Sequence, residues 1–523
     1  MSSKFYITTP IFYANAKLHI GHSYTLVLAD IVARYHRAQG EETFFLTGAD
    51  EHGDKILRTA QAAGMSPQAF VDQNVAEFKE LMVALEISND FFVRTSDSVN
   101  HWPGALALWQ GLVAAGDVRK GIYQGLYCVG CEAFITEKDL VDGKCALHNT
   151  LPEHIEEENY FFSLAKYGPE LKRLIETGTL KITPASKAHE MLALIATSGK
   201  DGGLGDISIS RPEREIPWGI PVPEDPSQLM YVWCDALSNY LSALGYGRAD
   251  DEKFRTFWPP DVQVVGKDIM RFHLLLWPAL LLSAKLPLPR EILAHGFITS
   301  GGRKMSKSIG NVLRAEDFIA EYGVEALRYY FAREIVPTDD GDLTAPHFKE
   351  VYNANLANGL GNLVSRTLKM TEQYFGGRIA GGTVENPPFH GNIAPVTGFD
   401  VTGGVNVPYV VINDILPRYH AHMRAHEVNK AADVVWELIG KLDQYITDYE
   451  PFKLVKTNSK TTELVLWGVV YGLSHITEMI APLMPQTADT LRRLIKQEVS
   501  EDVGENIIFI TEPLTQPLFM RKA

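Results

Sequence analysis

The stretch that decides the fold reads Phe5-Tyr6-Ile7-Thr8-Thr9-Pro10-Ile11-Phe12-Tyr13-Ala14-Asn15-Ala16-Lys17-Leu18-His19-Ile20-Gly21-His22. Its first five residues are apolar or β-branched and predict a strand. The apolar spacing of 21–38 then predicts a helix. A strand that leads through a short segment into a helix predicts the first unit of a doubly wound, parallel α/β sheet.

The strand–helix alternation continues outward from this stretch. We predict a strand at 43–47 and a helix at 66–85. After about Gly116, turn residues, paired cysteines and an acidic run break the pattern, which indicates an inserted module. Strand–helix order returns afterwards, so the predicted sheet is split in sequence. The later predicted strands are 230–234, 262–265 and 292–298, and a helix is predicted from Asp268.

Beyond about Thr344 the apolar positions recur at three- and four-residue steps, which predicts a helical bundle. The predicted helical segments are 348–375, 408–424, 427–447 and 461–482. A stretch rich in Gly, Pro, Thr and Asn, 376–407, predicts a long irregular loop.

Composition limits the function classes. The 523 residues are 46% hydrophobic and 22% charged, which excludes a small stapled scaffold or a mainly disordered chain. The net charge is −15, so any nucleic-acid contact must come from a local surface. The N-terminus lacks the pattern of a signal peptide, and the apolar run 274–284 is about half the roughly 20 residues that span a bilayer. We therefore expect a cytoplasmic protein without membrane association.

Two short motifs indicate phosphate chemistry. His19-Ile20-Gly21-His22 opens the first predicted helix, where unpaired N–H groups and the helix dipole favour an anion. Taken alone, such a pair is more often a helix cap. The segment Gly301-Gly302-Arg303-Lys304-Met305-Ser306-Lys307-Ser308 places two lysines on a glycine-led loop, where they can neutralise a polyphosphate. Taken alone, it is more often a solvated surface loop.

Together and in this order, the two motifs resemble the signature pair of class I aminoacyl-tRNA synthetases. Other stretches are similar to the methionine-specific branch of that family over nearly the whole chain. No segment of several hundred residues separates the two sheet halves, which argues against the large editing relatives. The further matching stretches are 8–13, Thr47-Gly48-Ala49-Asp50-Glu51-His52-Gly53, Tyr231-Val232-Trp233, Gly266-Lys267-Asp268-Ile269 with Phe272-His273, and His295-Gly296-Phe297.

The resemblance implies an organisation and a reaction. Methionine and Mg²⁺-ATP would form methionyl-adenylate, and a tRNA(Met) with a CAU anticodon would accept the methionyl group. No appended tRNA-binding module follows the bundle, so we expect a monomer. The implied segments are a Rossmann-like catalytic domain in two halves (1–115 and 226–298), an inserted connective module with a zinc knuckle (116–225), a signature-loop and stem-contact region (299–343) and a helical anticodon-binding domain (344–523).

The resemblance also assigns roles to single residues. Catalysis would rest on His19, His22, Lys304 and Lys307, which also bind ATP together with Gly21, Asp268 and Gly296. Arg211 matches a family arginine near the adenylate. A thioether offers dispersion and sulfur–aromatic contacts but almost no hydrogen bonding, so its pocket must be apolar. The implied methionine-binding residues are Ile11, Tyr13, Asp50, Trp233, Ala236, Leu237, Tyr240, Ile269 and His273.

Each of these pocket residues also has a plainer interpretation. Trp233 and Tyr240 are ordinary core aromatics in most folds, and a histidine such as His273 on an apolar helix is usually a hydrogen-bonded core residue. Asp50 would hold the substrate ammonium at a strand end, or would simply cap the next helix.

The inserted module contains Cys128-Val129-Gly130-Cys131 and, after thirteen intervening residues, Cys145-Ala146-Leu147-His148. This spacing of paired ligands predicts a tetrahedral Cys₃His zinc site, one per chain, whose filled coordination makes it structural. Cys234 has no such partner, and we predict that it fills space near the pocket.

In the predicted bundle, Asn362 and Arg366 lie one helical turn apart and match the family's anticodon-reading motif. Phe452 follows Glu450-Pro451 where many members have Trp, so a stacking face is kept while the indole N–H is lost.

Two alternatives stay open at the level of sequence. A class I synthetase for cysteine would place its metal in the amino-acid pocket, whereas these ligands cluster outside the sheet. A catalytically silent RNA-binding paralogue would have lost a signature histidine or lysine, and none is lost.

Overall fold

The computed structural model describes residues 3–522, apart from 136, 138–139, 147, 197–203, 306–310, 384–406 and 501–505. The chain forms two compact units, Met1–Phe297 and Ile298–Ala523. Lys307, part of the predicted loop 376–407 and Leu147 between two predicted metal ligands lie outside the described residues.

A seven-stranded parallel sheet forms the centre of the first unit. Strands from before and after the inserted region lie side by side, since Ile7 pairs with Val262. This confirms the predicted parallel sheet that is split in sequence. The spatial order is Lys181–Thr183, Glu291–His295, Val262–Gly266, Lys4–Thr8, Glu42–Asp50 and Phe12–Tyr13, with Phe91–Arg94 also paired to Glu42–Asp50.

Helices pack on this sheet and bury its apolar side chains, as parallel strands require. The first helix is Ile20–Ala38, and Ser66 caps the helix Pro67–Ala84 by accepting a hydrogen bond from the N–H of Ala69. The largest core side chains of the unit include Trp109 and Trp277. The other helices of the unit are Asp54–Ala62, Trp102–Ala114, Gly168–Glu176, Ala185–Ala196, Val232–Leu237, Asn239–Ser242, Glu252–Phe257 and Trp277–Ser283, with a π-helical turn at Phe272–Leu276 and a 3₁₀ turn at Leu164–Tyr167.

One predicted strand is wrong. Residues 230–234 do not join the parallel sheet: Asp225–Met230 forms a separate antiparallel sheet with Ser210–Pro212 and Pro221–Val222, and Val232–Leu237 is helical. A short apolar run does not distinguish a strand from a buried helix. Here the helix lets the side chain of Asp235 reach two buried histidines, a long-range contact that no local pattern reveals.

A long antiparallel hairpin dominates the inserted region. Its strands Val118–Cys128 and Glu153–Phe162 pair from Val118 opposite Phe162 to Tyr127 opposite Glu153. The predicted metal ligands lie at the end of the first strand and in the segment that joins the two. The edge strand Lys181–Thr183 also comes from the stretch 116–225, although it pairs with the catalytic sheet. The remaining short strands are Ala133–Ile135, Leu140–Val141, Lys144–Cys145 and Ile207–Ser208.

The second unit contains the predicted helical bundle. Arg328, fully buried, donates hydrogen bonds to the carbonyl oxygens of Pro482 and Leu483 and so joins its own helix to the turn before Pro485. The helices are Ala315–Tyr322, Val324–Arg333, Ala345–Val351, Asn362–Phe375, Val407–Val410, Leu416–Arg424, Val428–Tyr449, Pro451–Leu454, Ser459–Ile480 and Pro485–Leu494, with π-helical turns at Tyr352–Gly361 and Val411–Ile415.

Two small sheets in the second unit were not predicted. Arg378–Thr383, Asn506–Thr511 and Ile495–Ser500 form an antiparallel sheet beside the bundle, onto which the indole N–H of Trp467 donates to the carbonyl oxygen of Ile507. The second sheet comprises Ile298–Ser300, Arg303–Lys304 and Gly341–Asp342.

Candidate active site and metal centre

The carboxyl edge of the parallel sheet gathers three of the predicted substrate residues, Asp50, Asp268 and Gly296. Glu42–Asp50 ends at Asp50, Val262–Gly266 ends two residues before Asp268, and Glu291–His295 ends just before Gly296. Ligands of open α/β sheets bind in the crevice outside this edge. The topology thus brings together residues that are more than 200 positions apart in sequence.

The histidine pair caps the first helix through a reciprocal pair of hydrogen bonds. The N–H of Gly21 donates to Nδ1 of His19, and the N–H of His19 donates to Nδ1 of His22, both at 3.1 Å. The two rings stack with centroids 3.8 Å apart. A neutral ring that accepts at Nδ1 carries its proton on Nε2, so this hydrogen bonding assigns a donor to Nε2 of each ring. Capping and phosphate binding are therefore compatible roles.

Burial and the neighbouring imidazoles hold the pKa of His22 well below its usual value. The ring is thus neutral near pH 7 and donates through Nε2 without a formal charge. His295 joins the same helix to the sheet, because its Nδ1 donates to the carbonyl oxygen of Gly296 and its Nε2 lies 2.8 Å from Oγ1 of Thr25. The segment around Gly296 is therefore fixed against the helix that His19 caps.

Asp268 is exposed in the turn after its strand. A Cβ on Gly266 would stand 2.6 Å from its Oδ1, so the glycine leaves room for the carboxylate in this position. An exposed carboxylate here is open to a ligand hydroxyl.

The predicted methionine pocket has apolar walls. Trp233 stacks on Phe272 with centroids 3.8 Å apart, and Ala236 and Leu237 are buried beside it. Nδ1 of His273 donates to the carbonyl oxygen of Ile269, so its Nε2 accepts the hydroxyl proton of Tyr240 at 2.8 Å. Burial lowers the pKa of His273 to about 4, which keeps this ring neutral.

Three buried polar atoms at this end of the sheet have no hydrogen-bond partner in the described part of the chain: Oδ1 of Asp50, Oη of Tyr13 and Nε1 of Trp233. Burial, followed by the charges of Asp235 and Glu132, raises the pKa of Asp50 well above its usual value. A buried carboxylate without a cation is costly. The arrangement suits a ligand that brings an ammonium group.

Sequence reasoning missed a buried network behind the pocket. Oδ2 of Asp235 lies 2.6 Å from Nδ1 of His52, and its Oδ1 lies 2.7 Å from Nε2 of His101. Nδ1 of His101 in turn contacts Oγ of Ser242 at 2.8 Å. An aspartate inside the apolar stretch Val232–Leu237 is the one local signal for it; the partner histidines are distant in sequence.

The predicted zinc ligands converge. The ligand atoms of Cys128, Cys131, Cys145 and His148 all lie within 4.8 Å of one another. Sγ of Cys131 is 3.2 Å from Nδ1 of His148 and 3.5 Å from Sγ of Cys145. A Cβ on Gly130 would stand 2.5 Å from the His148 ring, which explains the glycine within the first cysteine pair. These residues fit one metal ion, and three thiolates with one imidazole are the ligands that zinc prefers.

Arg211 lies beside this region but is already engaged. Its guanidinium forms two hydrogen bonds of 2.7 Å with the Glu157 carboxylate and lies over the Tyr127 ring. Cys234 is buried away from the ligand cluster and is a free thiol.

In the second unit, Thr299 pairs with Lys304 across a hairpin whose turn residues, Gly301 and Gly302, have φ of +63° and +69°. Asn362 and Arg366 lie one turn apart near the start of the helix Asn362–Phe375. Arg366 forms a 2.6 Å ion pair with Asp443, and the side chain of Phe452 is 44% exposed.

A family model described as "tRNA synthetases class I (M)" matches residues 5–145 and 135–368. The parallel sheet, the histidine pair at the first helix and the glycine-led lysine hairpin agree with this match. The fold and the site thus define a class I aminoacyl-tRNA synthetase.

Similar proteins define the branch. The methionine–tRNA ligase of Thermotoga maritima is 39% identical over 95% of this chain and 76% of that protein, and the one from Caldanaerobacter subterraneus is 41% identical over 93% and 73%. The Mycobacterium tuberculosis methionyl-tRNA synthetase in complex with methionyl-adenylate has a TM-score of 0.86 and 34% identity over 94% of both chains. Its apo form gives a TM-score of 0.83 at 30% identity over 100% of this chain and 99% of that one. This chain belongs to the methionine–tRNA ligase family and is an enzyme.

Membership of this family decides against one of the two alternatives, a synthetase for cysteine, because these relatives are named for methionine. Among the described residues, none of the helices has the length and apolar character needed to cross a membrane.

Proposed function

We propose that the chain activates methionine with ATP and then transfers the methionyl group to the 3′-terminal adenosine of a tRNA(Met) that carries a CAU anticodon. In the first step the methionine carboxylate attacks the α-phosphate of Mg²⁺-ATP in line, and pyrophosphate leaves. In the second step the terminal ribose hydroxyl of the tRNA attacks the acyl carbon, and AMP leaves. No covalent enzyme intermediate is required.

The buried, unpartnered Oδ1 of Asp50 beside an apolar aromatic wall is the observation that carries this proposal. It calls for a ligand with an ammonium group next to an apolar side chain. The hydroxyl of Tyr240 and both nitrogens of His273 are already hydrogen-bonded to each other or to the backbone. These polar atoms therefore need no hydrogen bond from the ligand. An unbranched thioether suits such a surface.

The phosphates would meet the neutral Nε2–H donors of His19 and His22, together with the positive end of the first helix. The donors are fixed in direction by the capping hydrogen bonds before substrate arrives. Preorganised donors of this kind stabilise developing charge without reorganisation during the reaction. We assign Gly21 to close phosphate approach, Asp268 to the ribose of ATP, and Gly296 to the adenosine side of the crevice.

We further assign Lys304 and Lys307 to the charge that develops on the leaving pyrophosphate. Both assignments rest on the sequence motif. Ile11, Tyr13, Trp233, Ala236, Leu237 and Ile269 are assigned to the methionine side chain on the same basis, supported by their place beside the crevice.

Asn362, Arg366 and Phe452 are assigned to the anticodon. The exposed ring of Phe452 supports a stacking role, and the Asp443 partner would hold Arg366 ready in one orientation. Cys128, Cys131, Cys145 and His148 would hold one structural zinc ion, which would order the knuckle and take no part in the reaction. A monomeric state and a cytoplasmic location stay predictions from the sequence.

Pyrophosphate exchange into ATP, screened over the twenty amino acids, tests the proposed function. We expect methionine to give the fastest exchange by at least about 100-fold over leucine and cysteine, since shape and sulfur contacts together contribute a few kcal/mol. Faster exchange with leucine or cysteine than with methionine would contradict it.

A further inference from the structure

Glu132 directly follows Cys131 in the predicted metal knuckle, yet its contacts lie elsewhere. Its side chain is 1% exposed, and its backbone has φ of +47°, a left-handed conformation that side chains rarely adopt. Its N–H donates to the carbonyl oxygen of Val129 at 3.3 Å, which closes the turn between the first two cysteines. The knuckle turn therefore fixes where this carboxylate points.

The carboxylate packs against the loop that follows Asp50. Oε1 of Glu132 accepts a 2.5 Å hydrogen bond from the N–H of Lys55. A Cβ on Gly53 would stand 2.8 Å from the same oxygen and 3.3 Å from Oη of Tyr13. Only a glycine lets the carboxylate, the loop and the phenol of Tyr13 approach so closely.

Two further contacts join Glu132 to the other side of the pocket. Its Oε2 accepts the hydroxyl proton of Tyr127, and its main-chain carbonyl accepts the hydroxyl proton of Tyr231. Tyr231 is the residue before the helix Val232–Leu237, which carries Trp233. One buried residue of the knuckle thus contacts the loop after Asp50, the neighbourhood of Tyr13 and the start of the Trp233 helix.

We propose that Glu132 is a positioning residue through which the metal-binding knuckle sets the geometry of the methionine pocket. The metal would order the turn that ends at Cys131. The turn would place the Glu132 carboxylate, which fixes the N–H of Lys55 and the hydroxyl of Tyr127, and the main-chain carbonyl that holds the hydroxyl of Tyr231. Glu132 is not among the four converging ligands, and we assign it no contact with the substrate. This inference rests on the proposed function, since it concerns the affinity of the same pocket for methionine.

The test is a cycle of methionine titrations by calorimetry on four samples: the wild-type protein and Glu132→Ala, each with its metal and after removal of the metal by a chelator. Elemental analysis reports zinc, and thermal melting reports folding. We expect metal removal to weaken methionine binding about 10-fold in the wild type, and Glu132→Ala to weaken it about as much while keeping its zinc. Removing the metal from Glu132→Ala should then weaken binding by less than about 3-fold more.

Two further variants keep the test sharp. Glu132→Asp keeps a carboxyl group but draws it back by about one bond length, so this variant should bind methionine about as weakly as Glu132→Ala. It decides the matter if the alanine variant does not fold. Glu132→Gln keeps an acceptor for the N–H of Lys55 and should remain within about 3-fold of wild type. Glu156→Gln, on an exposed carboxylate of the same module, is the matched control and should change nothing.

Wild-type affinity in both Glu132→Ala and Glu132→Asp would overturn the inference, as would independent, multiplying losses from the variant and the metal. Loss of zinc from Glu132→Ala would also overturn it, because the residue would then hold the metal site and not the pocket. Failure of the wild-type, metal-containing protein to bind methionine would instead contradict the proposed function.

Discussion

The knuckle around Cys128 and the crevice around Asp50 lie in the same unit and differ in where their polar atoms point. In the knuckle, four ligand atoms converge on one another within 4.8 Å, a closed set that leaves no position for a substrate. In the crevice, Oδ1 of Asp50, Oη of Tyr13 and Nε1 of Trp233 are buried with no partner among the described residues. A closed set of ligands fits a permanent ion, whereas unpaired buried atoms fit a ligand that comes and goes.

Replacing Asp50 by Asn tests the crevice, where the buried polar atoms are unpaired, and has the largest expected effect. The variant keeps the shape of the side chain and loses the charge that would meet the substrate ammonium, so methionine binding should weaken by about 100-fold or more. Calorimetric titration measures this loss. Unchanged affinity would mean that the ammonium is held elsewhere.

The same variant should stabilise the free protein. Because the pKa of Asp50 is raised, the folded state binds more protons than the unfolded state above about pH 4, and wild-type stability falls as pH rises through the folded pKa. Asp50→Asn lacks this loss, so its free energy of unfolding at pH 7 should be about 1–2 kcal/mol higher than that of the wild type. Denaturant titrations at pH 5 and pH 7 check the sign; a destabilised variant would show that the carboxylate is stabilised by a cation in the free protein.

Replacing Cys145 by Ser tests the knuckle, where the ligand atoms converge on one another. Losing one of four ligands should lower the zinc content from about one ion to well below one, and the knuckle should become sensitive to protease while the catalytic side chains remain. Cys234→Ser is the matched control, because that cysteine is also buried but lies away from the ligand cluster, and it should keep its zinc. Full zinc retention in Cys145→Ser would show that Cys145 is not a zinc ligand.

The buried, neutral ring of His273 in the predicted pocket predicts that the folded protein loses stability in acid. The pKa of His273 is about 4 in the folded state and about 6.5 when unfolded, so the unfolded state binds more protons between these values. Stability should therefore fall as pH drops from about 6.5 to 4, by up to about 3 kcal/mol from this residue. His273→Gln should show a correspondingly flatter dependence in denaturant unfolding. Equal slopes for the two proteins would mean that the ring is protonated at little cost.

The smallest expected effect concerns Phe452, in the second unit. Its exposed ring predicts that Phe452→Ala costs about 1–3 kcal/mol of tRNA interaction, visible in kcat/KM for tRNA charging. Pyrophosphate exchange without tRNA should stay near normal. Phe452→Trp is the companion that tests whether an indole restores recognition. Equal losses in both half-reactions would indicate a folding defect, and no loss in either would place anticodon reading elsewhere.

Much of both regions could be predicted from the sequence, where the signal is local. The spacing of Cys128, Cys131, Cys145 and His148 predicts a cluster that the structure confirms. The parallel sheet and the bundle also follow from periodicity. The strand predicted at 230–234 is wrong, because its short apolar run belongs to a helix whose Asp235 meets histidines far away in sequence.

What the sequence could not predict is the coupling between the two regions. In the sequence Glu132 is an acidic residue after a cysteine with no further signal, and only the fold brings Lys55 and Tyr231 to it. The roles of the individual substrate residues also stay predictions, since they depend on where a ligand lies.

The most direct test of the account compares methionine with its deaminated analogue, 4-methylthiobutanoate, by calorimetric titration into the wild-type protein and Asp50→Asn. If Oδ1 of Asp50 binds the ammonium group of the substrate, the analogue should bind the wild type at least about 100-fold more weakly than methionine. In Asp50→Asn the two compounds should bind with similarly low affinity. Equal affinity of the wild type for methionine and the deaminated analogue would contradict the account.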